Sequence, residues 1–313
     1  MIRLLKYHIV IIIVLLSLSQ GALAQQDAMY TQYMFNGLAL NPAYAGSHGA
    51  ISSSFLLRKQ WAGIEGSPTS QTLSIHSPLP DGKMGAGLMF TNDAVGISKE
   101  TNVVGNYSYT LPLPFKGILA KGKLALGLSA GVTILNANYN DLALDDETDV
   151  QFSQGNLSGT KPNFGGGAYY YTEDLYFGIG IPRILENKFK SGDLFTFQQS
   201  RHYFITGGYV LPITSNFKFK PSFLVKAVSG APVEIDLNGS ILFIERFWVG
   251  ISYRSFASLD FHAQFDINEQ LRIGYAYDAA TTDIRRYSKG SHEFMLNYTF
   301  SYRKYNMLSP RYF

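Results

Sequence analysis

The stretch Leu259-Asp260-Phe261-His262-Ala263-Gln264-Phe265-Asp266 alternates apolar and polar side chains at every step. A period of two marks a strand with one greasy and one polar face. After Asn268-Glu269 the pattern resumes, with Leu271, Ile273, Tyr275 and Tyr277 on one face and Arg272, Gly274, Ala276 and Asp278 on the other. Two such runs joined by a short turn read as a hairpin. Just upstream, Val233, Ile235 and Leu237 alternate with Glu234, Asp236 and Asn238, and Val249, Ile251 and Tyr253 with Gly250, Ser252 and Arg254.

Extended along the chain, the same reading gives about fourteen strands, at 51–60, 69–79, 83–92, 101–112, 122–136, 163–171, 174–182, 201–212, 217–228, 233–244, 246–254, 258–267, 270–280 and 291–302. The connections after even strands are mostly tight: Asp81-Gly82, Thr172 to Asp174, Thr214 to Asn216, Glu245 alone and Asn268-Glu269. The exception is 113–121, between Pro112 and the next strand. Those after odd strands include the long stretches 137–162 and 183–200. A soluble sandwich shares the alternation, with its polar face to water. Tyrosines near the strand ends (Tyr107, Tyr109, Tyr169, Tyr170, Tyr171, Tyr275, Tyr277, Tyr298, Tyr302) favour a barrel, because an apolar ring with a wet hydroxyl suits the membrane boundary. The expected fold is an all-β, transmembrane, antiparallel up-and-down barrel with short periplasmic turns and longer extracellular loops.

Composition agrees. The chain has 21 Tyr, 22 Phe and 30 Gly with only 16% charged residues, and its mean hydropathy is near zero. Apolar residues dispersed at every second position give this profile. At the N-terminus Arg3 and Lys6 precede an apolar run from Ile9 to Leu18, then Ala22-Leu23-Ala24 before Gln25. That is the layout of a secretory signal peptide. The run is about half the 20 residues a spanning helix needs. Cleavage after Ala24 removes Arg3 and Lys6 and takes the formal charge from +3 to +1. A near-neutral chain carries no nucleic-acid footprint. With no cysteine, disulfide scaffolds, thiol nucleophiles and thiolate metal sites are excluded. The expected organisation is a signal peptide at 1–24, a periplasm-side or lumen segment at 25–50, a barrel at 51–302 and a periplasmic tail at 303–313.

Catalytic patterns are sparse. His48, His76, His202, His262 and His292 show no spacing that marks a general base. His292-Glu293 begins like a zinc-protease helix but lacks the second histidine four residues on. Gly165-Gly166-Gly167 lacks the lysine and helix of a phosphate loop, and reads as room for a bend or for the lumen. Asp145, Asp146, Glu147 and Asp149 crowd a loop at 141–149, without the glycine and glutamate of an EF-hand, and read as a solvated acidic loop. No enzyme, cofactor or metal site is expected. Glu234, Asp236, Arg254, Asp260, His262, Asp266, Arg272 and Asp278 share the polar faces and should line the lumen. There they either select solutes in a pore or pair across a filled interior.

Two terminal segments depart from generic barrel sequence: Gln32-Tyr33-Met34-Phe35-Asn36 followed by Asn41-Pro42-Ala43-Tyr44-Ala45-Gly46, and the end Leu308-Ser309-Pro310-Arg311-Tyr312-Phe313. With them the chain resembles, over essentially its full length, the PorP/SprF outer-membrane proteins of Bacteroidetes. The resemblance implies a non-enzymatic barrel of the type IX secretion system, serving secretion, surface attachment of adhesin-like proteins or gliding motility. Its partners would be type IX components or secreted surface proteins, besides outer-membrane lipid. The competing reading is a passive porin. With both chain ends expected on the periplasmic side, Tyr30, Tyr33, Met34, Phe35, Arg311, Tyr312 and Phe313 are the candidate partner-binding residues, a mixture of aromatic, Met and Arg side chains suited to binding hot spots.

Overall fold

The computed structural model describes residues 29–112, 122–138, 156–191 and 195–300. The signal-like stretch, the acidic loop 141–149 and the tail with Arg311, Tyr312 and Phe313 lie outside them. Among the described residues no helix is long and apolar enough to cross a membrane; the crossing is made by strands.

The alternating runs fold as β1 (Ile51–Lys59), β2 (Thr69–Pro78), β3 (Met84–Val95), β4 (Ser98–Pro112), β5 (Lys123–Ala137), β6 (Leu157–Tyr171) and β7 (Leu175–Ile181). A small separate hairpin, β8 (Lys188–Ser191) and β9 (Phe195–Gln198), follows. The wall resumes with β10 (His202–Tyr209), continued past Val210 by β11 (Leu211–Pro212), then β12 (Phe217–Val228), β13 (Glu234–Phe243), β14 (Phe247–Arg254), β15 (Ser258–Asp266), β16 (Leu271–Ala280) and β17 (Ser291–Phe300). Each strand pairs antiparallel with its neighbour, and β10 bridges the small hairpin by pairing with both β7 and β12. β1 pairs with β17, Ile51 opposite Phe300 and Lys59 opposite His292, which closes the sheet. The result is a closed barrel of fourteen antiparallel strands. Closure pairs the wall strands on both sides through the spanning region, the condition for carrying backbone amides through hydrocarbon, and leaves one-sided pairing at 157–165 of β6, at the long-loop end.

The wall is inside-out relative to a soluble protein. On β5 the outward Leu128 is 69% exposed while the inward Ser129 is buried. On β15 the outward Phe261 is 46% exposed while the inward Asp260 and His262 are buried. Lipid solvates the outer face, so the apolar half of each alternation belongs there. At the short-turn end Phe217 stacks on Phe243 and Phe247 on Phe265, with centroids 4.7 and 4.6 Å apart. This is an interfacial girdle spanning β12 to β15. Tyr107, Tyr109 and Tyr275 also face out, but Tyr169 is buried inside, and Tyr302 lies outside the described residues.

Three regions differ from the sequence reading. β3 and β4 run on to a two-residue turn at Gly96-Ile97, where Gly96 takes φ +55°, and β6 starts at Leu157, six residues before the expected 163. The stretch 183–200, read as loop, carries β8 and β9. All lie at the long-loop end. Beyond the membrane both faces of a strand meet water, so Asn92, Asp93, Lys99 and Glu100 keep the ladder without the alternation that would reveal it.

Candidate functional site

Residues 29–46 occupy the lumen, and 47–50 lead out to β1. The sequence here breaks into three single 3-10 turns, Tyr33–Phe35, Gly37–Ala39 and Pro42–Tyr44. Asn41 caps the last, its side chain accepting from the Ala43 amide at 3.0 Å with Pro42 in the first position. This is the favoured pairing for a helical start. Tyr30 through Phe35, Leu38 and Leu40 through Ala45 are all buried.

The segment is tied at three places. At the long-loop end Glu293 accepts from the consecutive amides of Thr31 and Gln32, both at 2.8 Å. The Thr31 hydroxyl donates to Asp278 at 2.7 Å and accepts from Arg58 at 3.0 Å. Arg58 also bonds Asp278 at 2.5 Å and Glu293 at 3.3 Å. Arg254 reaches the Tyr30 carbonyl at 3.4 Å and grips Asp236 at 3.0 to 3.1 Å, with Asp260 at 3.7 Å and Asp278 at 3.9 Å. Further along the segment, near the short-turn ends of β12, β14 and β16, Phe35 meets Trp248 edge-on at 5.8 Å, with Lys220 over its ring at 4.7 Å and Arg272 at 5.3 Å. Gln264 donates to Gln32 at 3.2 Å. At the short-turn end Asn41 donates to the carbonyls of Ala168 and Ile179 at 2.9 and 3.2 Å, Ser108 to that of Ala45 at 2.7 Å, and the Gly46 amide to His76 at 3.1 Å. Residues 30–46 therefore descend the lumen from the loop end to the start of β1.

Glu234, Asp236, Arg254, Asp260, His262, Asp266, Arg272 and Asp278 all sit on the inward face, and they are engaged rather than lining free space. Asp266 and Arg272 pair in two-pronged geometry at 2.5 and 3.1 Å. Glu234 pairs with Lys226 at 3.2 Å, and His262 bonds Ser240 at 3.0 Å. A void beside the segment, between it and β3 to β6, is about 70 Å³ and is lined by Leu38, Asn102, Asn106 and Asn163 among others. A second is about 20 Å³. Spaces of this size hold a few water molecules.

The expectation of a surface patch is corrected for the N-terminal residues. Tyr30, Tyr33, Met34 and Phe35 are 2 to 6% exposed and belong to one apolar cluster with Leu56, Phe204, Leu224, Leu242, Trp248 and Met295. They fill the interior, and Tyr30 stands at the loop end, away from the periplasmic mouth. Their aromatic character signals a core as readily as a hot spot, and only the wall's contacts decide between the two. Sequence reasoning missed Arg58 and Glu293. Arg58 hides on a strand whose two faces are both mixed, and Glu293 stands next to the outward His292, which bonds Tyr275 at 2.7 Å. Opposite faces of one strand also explain why the His292-Glu293 pair cannot share a metal.

Comparison with known proteins gives one family and a set of distant barrels. The family model described as type IX secretion system membrane protein PorP/SprF matches residues 22–298. No curated protein matches the chain. Solved structures similar to it include the CymD monoaromatic hydrocarbon channel, at 12% identity and TM-score 0.47 over 92% of this chain and 97% of that one. The outer membrane protein Omp33 of Acinetobacter baumannii has 12% identity and TM-score 0.43 over 81% and 100%. The KdgM porin has 11% identity and TM-score 0.39 over 80% and 99%.

Proposed function

Since the chain belongs to the type IX secretion system membrane protein family PorP/SprF, we propose that it serves that pathway as a closed outer-membrane scaffold which engages a secretion component or a secreted surface protein, and not as a solute channel. The observation that carries this reading is the filled lumen. A porin keeps an aqueous path through its centre, whereas here residues 29–46 run the length of the interior and the charges that would select ions are spent on one another and on that segment. Membrane insertion with a blocked lumen leaves the two rims as working surfaces. The loop-side rim is the more elaborate, with β3 to β6 extended beyond the alternating region and Phe189 of the small hairpin packed on Leu135, Ala137 and Leu157.

The test is a pair of measurements on the full-length protein. Purified from native membranes, it should co-purify with a type IX component or a secreted surface protein, and in planar bilayers it should show no steady open state. A steady conductance with no protein partner would support the porin reading instead.

A further inference from the structure

The contacts at the top of the segment are of a particular kind. Glu293 takes two successive backbone amides, Arg254 takes the preceding carbonyl, and the Arg58–Asp278 pair takes one hydroxyl. Main-chain groups supply three of these contacts and the Thr31 hydroxyl a further one, while the side chains of Tyr30 and Gln32 bond Thr72 and Gln264 beside them at 2.6 and 3.2 Å. Carboxylate and guanidinium hydrogen bonds to peptide groups are about twice as strong as neutral ones, and here they are made by residues of β1, β14, β16 and β17 that the wall already orients. The fit is incomplete along the segment: among the described residues Arg58 Nε and both Asp260 oxygens at the top, and Gln32 Nε2, Asn36 Nδ2 and Trp248 Nε1 below, are buried without a protein hydrogen-bond partner, although buried polar groups in a settled core are nearly all paired.

We propose that Arg58, Arg254, Asp278 and Glu293 form a peptide-binding site that opens toward the loop side, occupied in cis by residues 30–32. Its ligand class is an extended peptide offering a carbonyl, two consecutive amides and a Thr or Ser hydroxyl. The chain's own segment holds the site until a partner's segment of the same chemistry replaces it. This rests on the reading of the barrel as a closed scaffold for a protein partner.

The test uses the full chain, which contains no cysteine of its own. Thr31→Pro with Gln32→Pro removes both amides taken by Glu293 while leaving the wall unchanged, because proline has no N–H. In that chain a Leu38→Cys thiol, buried in the parent, should react with a small water-soluble maleimide at least tenfold faster. A fluorescent peptide of residues 29–36 should bind the same double-proline chain from the loop side, and a peptide carrying the two prolines should not. Glu293→Gln should weaken that binding about tenfold or more, because two charge-assisted hydrogen bonds to the peptide become at best one neutral one. Unchanged labelling, no peptide binding, or binding indifferent to Glu293→Gln would overturn the proposal. If the double-proline chain does not insert, Glu293→Gln in the Leu38→Cys chain carries the labelling test, with the same faster reaction expected and an unchanged rate counting against the site. Loss of the native partner with intact peptide binding would instead fail the scaffold reading and leave the site standing.

Discussion

Phe261→Arg separates a lipid-facing wall from a water-facing one. Phe261 is near the middle of β15, points outward at 46% exposure and lies between the outward Ile251 and Tyr277 in register. At the bilayer midplane an arginine on the lipid face costs about 2 to 4 kcal/mol. On a water-exposed strand the same change would fall within about 0.5 kcal/mol. With a urea slope of about 3 kcal/mol per M, the first case lowers the unfolding midpoint of the vesicle-inserted barrel by about 1 M. Tryptophan fluorescence and heat-modifiable gel mobility would follow it. A midpoint equal to that of the parent would refute the inside-out assignment. The opposite face gives a second reading. Gln264 is only 3% exposed and donates to Gln32, so Gln264→Arg is not absorbed by open lumen. It should loosen the inner segment without affecting insertion.

Two further outcomes follow from the lumen contacts. Arg254→Met strands the buried Asp236 and Asp260 carboxylates, and should destabilise the barrel by about 3 to 5 kcal/mol in the same titration; a loss below about 1 kcal/mol would mean the cluster bears no structural load. Met29→Cys should be labelled on intact cells by a membrane-impermeant maleimide, because Tyr30 bonds Thr72 and Arg254 at the loop end. Labelling that requires access to the periplasm would reverse the direction assigned to the segment.

The wall was legible because hydrocarbon on one side enforces a strict period. Leu259 to Asp266 and Leu271 to Asp278 fall in the register their alternation demands, Phe261 opposite Tyr277 and Asp260 opposite Asp278. Legibility failed where that constraint ends. Asn92 to Thr101 pair as strands although neither face is apolar, since a ladder above the membrane needs only its backbone hydrogen bonds. The site failed differently. The Thr31 amide and its Glu293 partner are 262 residues apart, and no local pattern can report such a pairing. Tyr33, Met34 and Phe35 are consecutive large apolar side chains in the sequence, and a run of this size fits an interior or an interface equally well. The wall settles the matter by supplying Trp248, Lys220 and Arg272 around Phe35.

The wall also carries, in residues of its own, the imprint of what it encloses. A Cβ at the inward Gly127 of β5 would run into the backbone of Pro42 and Ala43, and one at the inward Gly180 of β7 into the Leu40 carbonyl. Bulk is withheld where the segment's backbone lies against the strands. A conducting barrel has no need of that at these heights. The two ends are held by different physics: at the short-turn end by close backbone fit and the Asn41-Pro42 turn, at the loop end by ion pairs and amide contacts around Thr31 and Gln32. Close packing yields only when a whole surface separates, whereas a few charge-assisted hydrogen bonds can be exchanged one for one with those of an incoming peptide. On the proposed reading displacement starts at Tyr30, while Asn41 to Gly46 stay seated. On that reading a partner on the loop side would meet the exchangeable end first.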